Sequence, residues 1–343
     1  MVGAHVIVFD ALTSAKTAKS IKKPHHRFIG VLWESPSIYR EVMDQNLMNI
    51  FDYEFGFRTK WSHLLSYNMM TNTAGDLSHM KEWDVVPFAT KKLNPMVTAF
   101  ISNCAVNSNG RLRVLEQFIK LGVTVKNRGR CHIEGTPRIK ASDRKETYIH
   151  NDTFELSSPN WSLLRNKTLK PPNIATQIAW ENMYQGGSSL FYYAAENSNC
   201  EDYHTEKVWN GFNSGAVPIY LGSNLTYKDH FPENSVIHVY DFPDLPSLAK
   251  HLLYLANNET AYNKYLEWRK KPLPKHVQEK IDHAKGSLQT RISSLKIHFY
   301  SDTQFCVSLA WKNPKWCKSC EYLHQNWNSP TRGFKAQDPA RCL

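Results

Sequence analysis

The chain has 343 residues, 41% of them hydrophobic and 21% charged, a length and balance that fit two globular domains and exclude a disordered polymer. No apolar run approaches the roughly 18 residues that a membrane span needs, and the segment from Met1 to Phe9 lacks the basic start and small-residue cleavage site of a secretory signal. The formal net charge of +11 favours acidic partners such as nucleotide phosphates, nucleic acid or anionic glycans. No helix-turn-helix, zinc-finger or RNP pattern accompanies the basic clusters, one at Lys19, Lys22, Lys23 and Arg27 and one at Arg269, Lys270 and Lys271, so both read as solvated faces.

Apolar runs of strand length open the chain at His5 to Phe9, Phe28 to Trp33 and Phe51 to Phe57, separated by polar or basic segments. Lys91-Lys-Leu-Asn-Pro95 interrupts the pattern with charge and a proline and reads as a linker. Met96 to Ser102 is then a strand that starts a second unit. Asn109 and Gly110 lead into a helix over Arg111 to Lys120, with Gly122 as its stop, and Val123 to Val125 resumes as a strand. Residues 132–187 are polar, carry Pro171-Pro172 and Gly186-Gly187, and read as a surface insertion with little regular structure. The alternation returns with a strand at Leu190 to Ala195, a helix at Glu206 to Asn213 behind the N-cap Thr205, and a strand at Val217 to Leu221. A strand at Val236 to Tyr240 precedes a helix that Ser247 can cap, with Leu248, Leu252 and Leu255 along one face.

Strand and helix alternating in this way predict an α/β fold with a parallel, doubly wound sheet, whose ligands sit at the carboxyl ends of the strands. Asn197, Tyr203, Glu206 and Lys207 all follow the strand that ends near Ala195, so they belong at that end. Lys207 at a helix start is locally unfavourable unless an anion is near, because the start already carries partial positive charge. Phosphate is the obvious candidate.

Seven cysteines, at 104, 131, 200, 306, 317, 320 and 342, leave at least one outside any intrachain pair. Cys317-Lys-Ser-Cys320 with His324 could begin a zinc site, but the spacing matches no standard finger, and a disulfide or free thiols fit better. Sequons at Asn151, Asn160, Asn166, Asn224 and Asn258 are glycosylation candidates and lean toward a secretory compartment.

The run Ala195-Glu-Asn-Ser198, Asp202-Tyr-His-Thr-Glu-Lys207 and Gly215-Ala-Val-Pro-Ile-Tyr-Leu-Gly222 resembles the donor-binding signature of the α1,3/α1,4-fucosyltransferases, glycosyltransferase family 10. Phe100-Ile-Ser-Asn-Cys104, Arg111 to Glu116 and Gly129-Arg-Cys131 are similar to plant and invertebrate members. Trp33-Glu-Ser-Pro36 resembles the acceptor-domain motif, and Cys317-Lys-Ser-Cys320 the family's terminal motif.

The resemblance implies a GT-B enzyme with two Rossmann-like domains facing a cleft, transferring L-fucose from GDP-β-L-fucose with inversion. Its acceptor would be a GlcNAc hydroxyl of a glycoprotein glycan in α1,3 linkage; a Lewis-type lactosamine, a protein hydroxyl, or a GDP-fucose- or glycan-binding relative without activity stay open. Glu34 matches the general base. Arg111 and Lys207 match the cations on the departing diphosphate. Glu206 matches a ribose contact, Asn197 and Tyr203 line the donor pocket, and Glu196 contacts the sugar. No Asp-x-Asp occurs, so the metal clamp of GT-A enzymes has no candidate; metal is not obligatory, although a divalent cation could stimulate. The disulfide candidates are Cys104, Cys131, Cys317 and Cys320.

The expected organisation is an acceptor-side domain over 1–94, incomplete at its N-terminus, a GDP-fucose domain over 95–300 that carries the insertion, and a cysteine-containing tail over 301–343. Resemblance also implies a Golgi membrane enzyme with a luminal catalytic domain, its anchor missing from this sequence, and no nucleic-acid partner.

Overall fold

The computed structural model describes residues 5–10, 24, 26–32, 34–58, 85–105, 107–136, 185–272 and 275. Ser189–Ala195 has every side chain buried, which marks it as the central strand of a sheet covered on both faces. Five parallel strands make that sheet: β4 (Lys92–Ala99), β5 (Val125–Asn127), β6 (Ser189–Ala195), β7 (Val217–Leu221) and β8 (Ile237–His238), in the order β5-β4-β6-β7-β8. A smaller parallel sheet joins β1 (His5–Asp10), β2 (His26–Leu32) and β3 (Tyr53–Gly56) in sequence order. The expected α/β class with parallel sheets is therefore what the chain forms.

Six α-helices complete the described residues: α1 (Gln45–Met48), α2 (Arg111–Lys120), α3 (Glu206–Ser214), α4 (Tyr227–His230), α5 (Leu245–Ala256) and α6 (Glu259–Lys264). α2 buries Val114, Leu115 and Phe118 on one side of the large sheet, and α5 adds Leu248, Leu252 and Leu255 to the same core. α3 covers the other side with Val208, Trp209 and Phe212, packed edge-on to Phe231 and Trp268. Each such side chain contributes roughly 1.5–3 kcal/mol by leaving water.

Several expectations shift. Lys91 to Pro95 is no linker: β4 starts at Lys92, and Lys91 is buried with its ammonium donating to the carbonyls of Gly187 (2.8 Å), Gly215 (3.3 Å) and Ser189 (3.4 Å). Three inward-facing carbonyls at the start of β6 and the end of α3 need a donor, and the lysine supplies it, so the second unit begins before residue 95. α5 is capped by Asp244, whose Oδ1 accepts from the Ser247 N–H at 2.7 Å; Ser247 is a first-turn residue and not the cap. β8 spans two residues because the chain tightens into a 3-10 turn at Val239–Asp241, where the His238 ring accepts from the Tyr240 N–H. β4 ends at Ala99, three residues before the expected Ser102, and β5 starts two residues after the expected Val123.

Arg269, expected on a solvated face, is buried; it lies against the Trp268 ring and donates to the Phe212 carbonyl, which turns this end of the basic cluster inward. Asn151, Asn160, Asn166, Cys317 and Cys320, most of the 132–187 insertion and the 301–343 tail lie outside the described residues. Among the described residues no helix is long and apolar enough to cross a membrane.

Candidate active site

In the large sheet the order of strands reverses between β4 and β6, because the chain steps outward from β4 to β5 and then returns to the other side of β4. Loops leaving two neighbouring strands in opposite directions open a crevice at their carboxyl ends, where doubly wound folds bind ligands. One wall of this crevice is the loop from β4 to α2, ending in Arg111, and the other is the loop from β6 to α3, ending in Lys207.

Arg111 is the first residue of α2, behind Gly110 in the left-handed region (φ 68°), a conformation that costs glycine nothing. Its side chain is 2% exposed, with Nη2 donating to the Asn103 carbonyl (2.7 Å) and Nη1 to that of Ala195 (3.5 Å). Burial lowers its pKa from the ordinary arginine value, and the charge of Glu196 opposes that shift. The Arg111 carbonyl accepts from Tyr193 Oη at 3.0 Å, which ties the helix start to β6. Cys104 is bonded to Cys131, two of the four disulfide candidates, and the bridge joins the loops after β4 and β5. Beside the bridge Asn127 Nδ2 donates to the carbonyls of Cys131 and Ile101, and a Cβ at Gly129 would collide with the Ile101 backbone, so the Gly129-Arg-Cys131 motif has a steric reason.

α3 begins with Thr205 as cap. Its backbone N–H and hydroxyl both donate to the Glu196 carboxylate, at 2.7 Å to Oε1 and 2.5 Å to Oε2. The Lys207 ammonium donates to Thr205 Oγ1 (2.8 Å) and Glu206 Oε1 (3.1 Å) and lies 3.5 Å from Glu196 Oε2. Burial pushes the Lys207 pKa down, but the carboxylates of Glu206 and then Glu196 outweigh it and hold it above the ordinary lysine value. For Glu206, burial raises the carboxyl and Lys207 more than reverses this, leaving it below its usual range. Glu206 Oε2 is buried without a hydrogen-bond partner among the described residues, an acceptor left open beside the cation. Lys207 and Glu206 remain partly exposed, whereas Glu196 is fully buried.

Glu34 follows β2 at the carboxyl end of the small sheet and meets this loop directly. Its Oε2 accepts from Tyr203 Oη at 2.6 Å and from Asn197 Nδ2 at 3.4 Å. Tyr203 is buried edge-on to Phe57, and its hydroxyl is pushed well above the ordinary phenol range by burial and then by the charge of Glu34. The structure thus brings together Glu34, Arg111, Glu196, Asn197, Tyr203, Glu206 and Lys207, the residues expected of the site.

Other members of the cluster escaped the sequence reading. Ser35 Oγ donates to Asn197 Oδ1 (3.2 Å), Ser108 Oγ to the Asn197 carbonyl (2.9 Å), and Asn109 Nδ2 to the Glu196 carbonyl (3.0 Å) and Asn199 Oδ1 (2.9 Å). Asn199 in turn donates to the hydroxyl of Tyr240, an aromatic 49% exposed at the end of β8. The short Ser-Asn-Gly run before α2 is the one local signal that pointed toward these contacts. Among the described residues no group of His, Cys, Asp or Glu converges in a way that could hold a metal ion. Of the described sequons, Asn224 is exposed, and Asn258 caps α6 through its Oδ1.

Comparison with known proteins gives three kinds of likeness. Residues 177–335 match the model of the C-terminal part of glycosyltransferase family 10 (fucosyltransferase). The chain is 52% identical over 82 residues to alpha-(1,3)-fucosyltransferase 4 of Bos taurus, covering 23% of this chain and 21% of that protein. It is 35% identical over 142 residues to the Rattus norvegicus protein of the same name, covering 41% and 25%, and 44% identical over 80 residues to alpha-(1,3)-fucosyltransferase fut-1 of Caenorhabditis elegans, covering 23% and 18%. These matches span no more than about a quarter of each relative's length. Among solved structures, an alpha1,3-fucosyltransferase with GDP-fucose aligns over 76% of each chain at 16% identity and a TM-score of 0.44. The stretch similar to the C-terminal part of glycosyltransferase family 10 (fucosyltransferase), residues 177–335, holds the whole loop from Glu196 to Lys207.

Proposed function

We propose that this protein is an inverting α1,3-fucosyltransferase that uses GDP-β-L-fucose and acts on a GlcNAc hydroxyl of glycoprotein glycans. The observation that carries the proposal is the pair of cations, Arg111 and Lys207, at the starts of two helices flanking the crevice between β4 and β6. Burial and the carboxylates of Glu206 and Glu196 act most strongly on Lys207, with the charge of Arg111 a smaller opposing influence, and the helix starts add N–H groups and positive potential that favour an anion.

In this reading the diphosphate of the donor replaces the carboxylate contacts of Lys207 and reaches Arg111. The bond between the fucosyl C1 and the diphosphate oxygen breaks as the acceptor hydroxyl attacks from the opposite side. The two cations stabilise the charge gathering on GDP, and the Glu34 carboxylate takes the hydroxyl proton. The open Glu206 Oε2 accepts from a ribose hydroxyl. Tyr203 and Asn197 line the donor side while fixing Glu34. No step needs a metal, and a divalent cation would act only as a stimulant of phosphate binding. The Golgi lumen is the compartment assigned to the reaction in this reading.

Incubation with GDP-fucose and a panel of core N-glycan, N-acetyllactosamine and simple GlcNAc acceptors tests the reading. It expects a product heavier by one fucose with the new bond at the GlcNAc 3-hydroxyl. Labelling of lactosamine alone would move the acceptor to the Lewis type, and GDP binding with no labelled acceptor would replace enzyme by binding protein.

A further inference from the structure

Glu196 is the most thoroughly enclosed charge of the crevice. Its side chain has no exposed surface, and its two carboxylate oxygens are taken by the N–H and the hydroxyl of Thr205. The backbone is held as firmly, with the N–H donating to the Leu221 carbonyl (2.8 Å) and the carbonyl accepting from Asn109 Nδ2 (3.0 Å). With no exposed surface, the carboxylate offers a sugar hydroxyl no accessible face. Burial also pushes its carboxyl above the usual range, with Lys207 the largest opposing influence. Keeping an anion there costs several kcal/mol of desolvation, which neighbouring hydrogen bonds and the cation must offset.

What the arrangement does is orient. Thr205 Oγ1 donates to Glu196 and so turns its lone pairs toward the Lys207 ammonium, from which it accepts at 2.8 Å. With Glu196 present the ammonium is drawn inward, between Thr205 and the buried carboxylate. Without it the hydroxyl can rotate, and Glu206, at 3.1 Å, becomes the sole carboxylate holding the ammonium.

We propose that Glu196 is a positioning residue, which sets the Lys207 ammonium at the start of α3 through Thr205 and does not touch the transferred sugar. The inference rests on the nucleotide-sugar reading of the site and deepens it.

Titration of GDP and of GDP-fucose into the wild type, Glu196→Gln, Lys207→Ala and the double variant provides the test. Glu196→Gln keeps the shape and loses the charge. The proposal expects about a tenfold loss of affinity, equal for the two ligands, because charge-assisted contacts of this kind are worth that much. In the Lys207→Ala background the same change should add less than twofold, since it acts through the lysine. A loss confined to GDP-fucose would make Glu196 a sugar contact and overturn the proposal. So would wild-type affinity in Glu196→Gln, or a tenfold loss that persists without Lys207, which is what general support of the fold would give. If Glu196→Gln does not fold, Thr205→Val carries the same expectations, because it removes the linking hydroxyl and leaves the buried carboxylate its backbone partner. A wild type that binds neither ligand would overturn the nucleotide-sugar reading itself, an outcome distinct from all of these.

Discussion

The hydroxyl of Tyr203 donates a 2.6 Å hydrogen bond to Oε2 of Glu34, two residues 169 apart in sequence. Tyr203 stands in the loop that leads to Lys207, so the group that would take the acceptor proton is held by the segment that would hold the donor. Replacing Tyr203 with Phe keeps the ring against Phe57 and deletes the hydrogen bond. We expect a fall of about tenfold or more that lies mainly in kcat, with a smaller change in donor KM, since misplacing a base is felt in the chemical step. Steady-state kinetics with both substrates varied measures it, and an unchanged kcat would remove the hydroxyl from any role in orienting Glu34.

Glu34→Gln removes the base and keeps the size of the side chain. General-base catalysis contributes about 10²–10⁴-fold, so transfer should drop by that order while GDP affinity, set by Arg111 and Lys207, holds. Product formation by mass spectrometry together with GDP titration separates the two effects. Near-normal transfer would assign the proton to another group.

Lys91 has its own pH signature. Burial, and then the charge of Arg269, lowers its pKa from 10.5 to about 7 in the folded protein. Between about 7 and 10.5 the unfolded chain is the state that binds the extra proton, so this group makes stability rise with pH through that window. Urea midpoints from neutral pH upward should therefore climb more steeply in the wild type than in Lys91→Met, which has no proton to lose. Parallel pH curves for the two proteins would contradict the burial of a titrating ammonium at this position.

The Cys104–Cys131 bridge closes a loop across a sequence separation of 27 residues. A crosslink of that span is worth about 2–4 kcal/mol, chiefly by restricting the unfolded chain. The double change Cys104→Ser and Cys131→Ser should lower Tm by several degrees. Because Asn103, whose carbonyl receives Arg111 Nη2, adjoins the bridge, the change should weaken GDP binding as well. Calorimetry and titration read the two losses, and a Tm unaltered by the replacement would contradict the stabilisation assigned to the bridge.

Much of this was legible in the sequence, and the reason is local. The all-apolar run of β6, the Thr205 cap, the Gly122 stop and the strand–helix alternation are encoded within a few residues of where they act, so the parallel sheet and the place of Lys207 follow from pattern. The interior position of Lys91 did not, because a lysine beside a proline looks like a linker until Gly187 and Gly215 bring their carbonyls to it from about a hundred residues away. Asp244 displaced Ser247 as a cap because Pro246 favours the first helical turn and pulls the start of α5 forward. Ser35, Ser108 and Asn109 stayed unnoticed for the same reason as Lys91: their partners are Asn197, Glu196 and Asn199, and no local periodicity links them. The donor wall was therefore readable from motif, while its attachment to Glu34 needed the fold.

The central claim is that the crevice between β4 and β6 is a diphosphate site built on Lys207 and Arg111, and calorimetric titration of GDP tests it most directly. Wild-type protein should bind GDP, and Lys207→Ala should weaken that binding by about 10- to 100-fold, the worth of a charge-assisted contact to phosphate, with the weakening reduced as salt is raised. Equal GDP affinity in the two proteins, across the same range of salt, would contradict it.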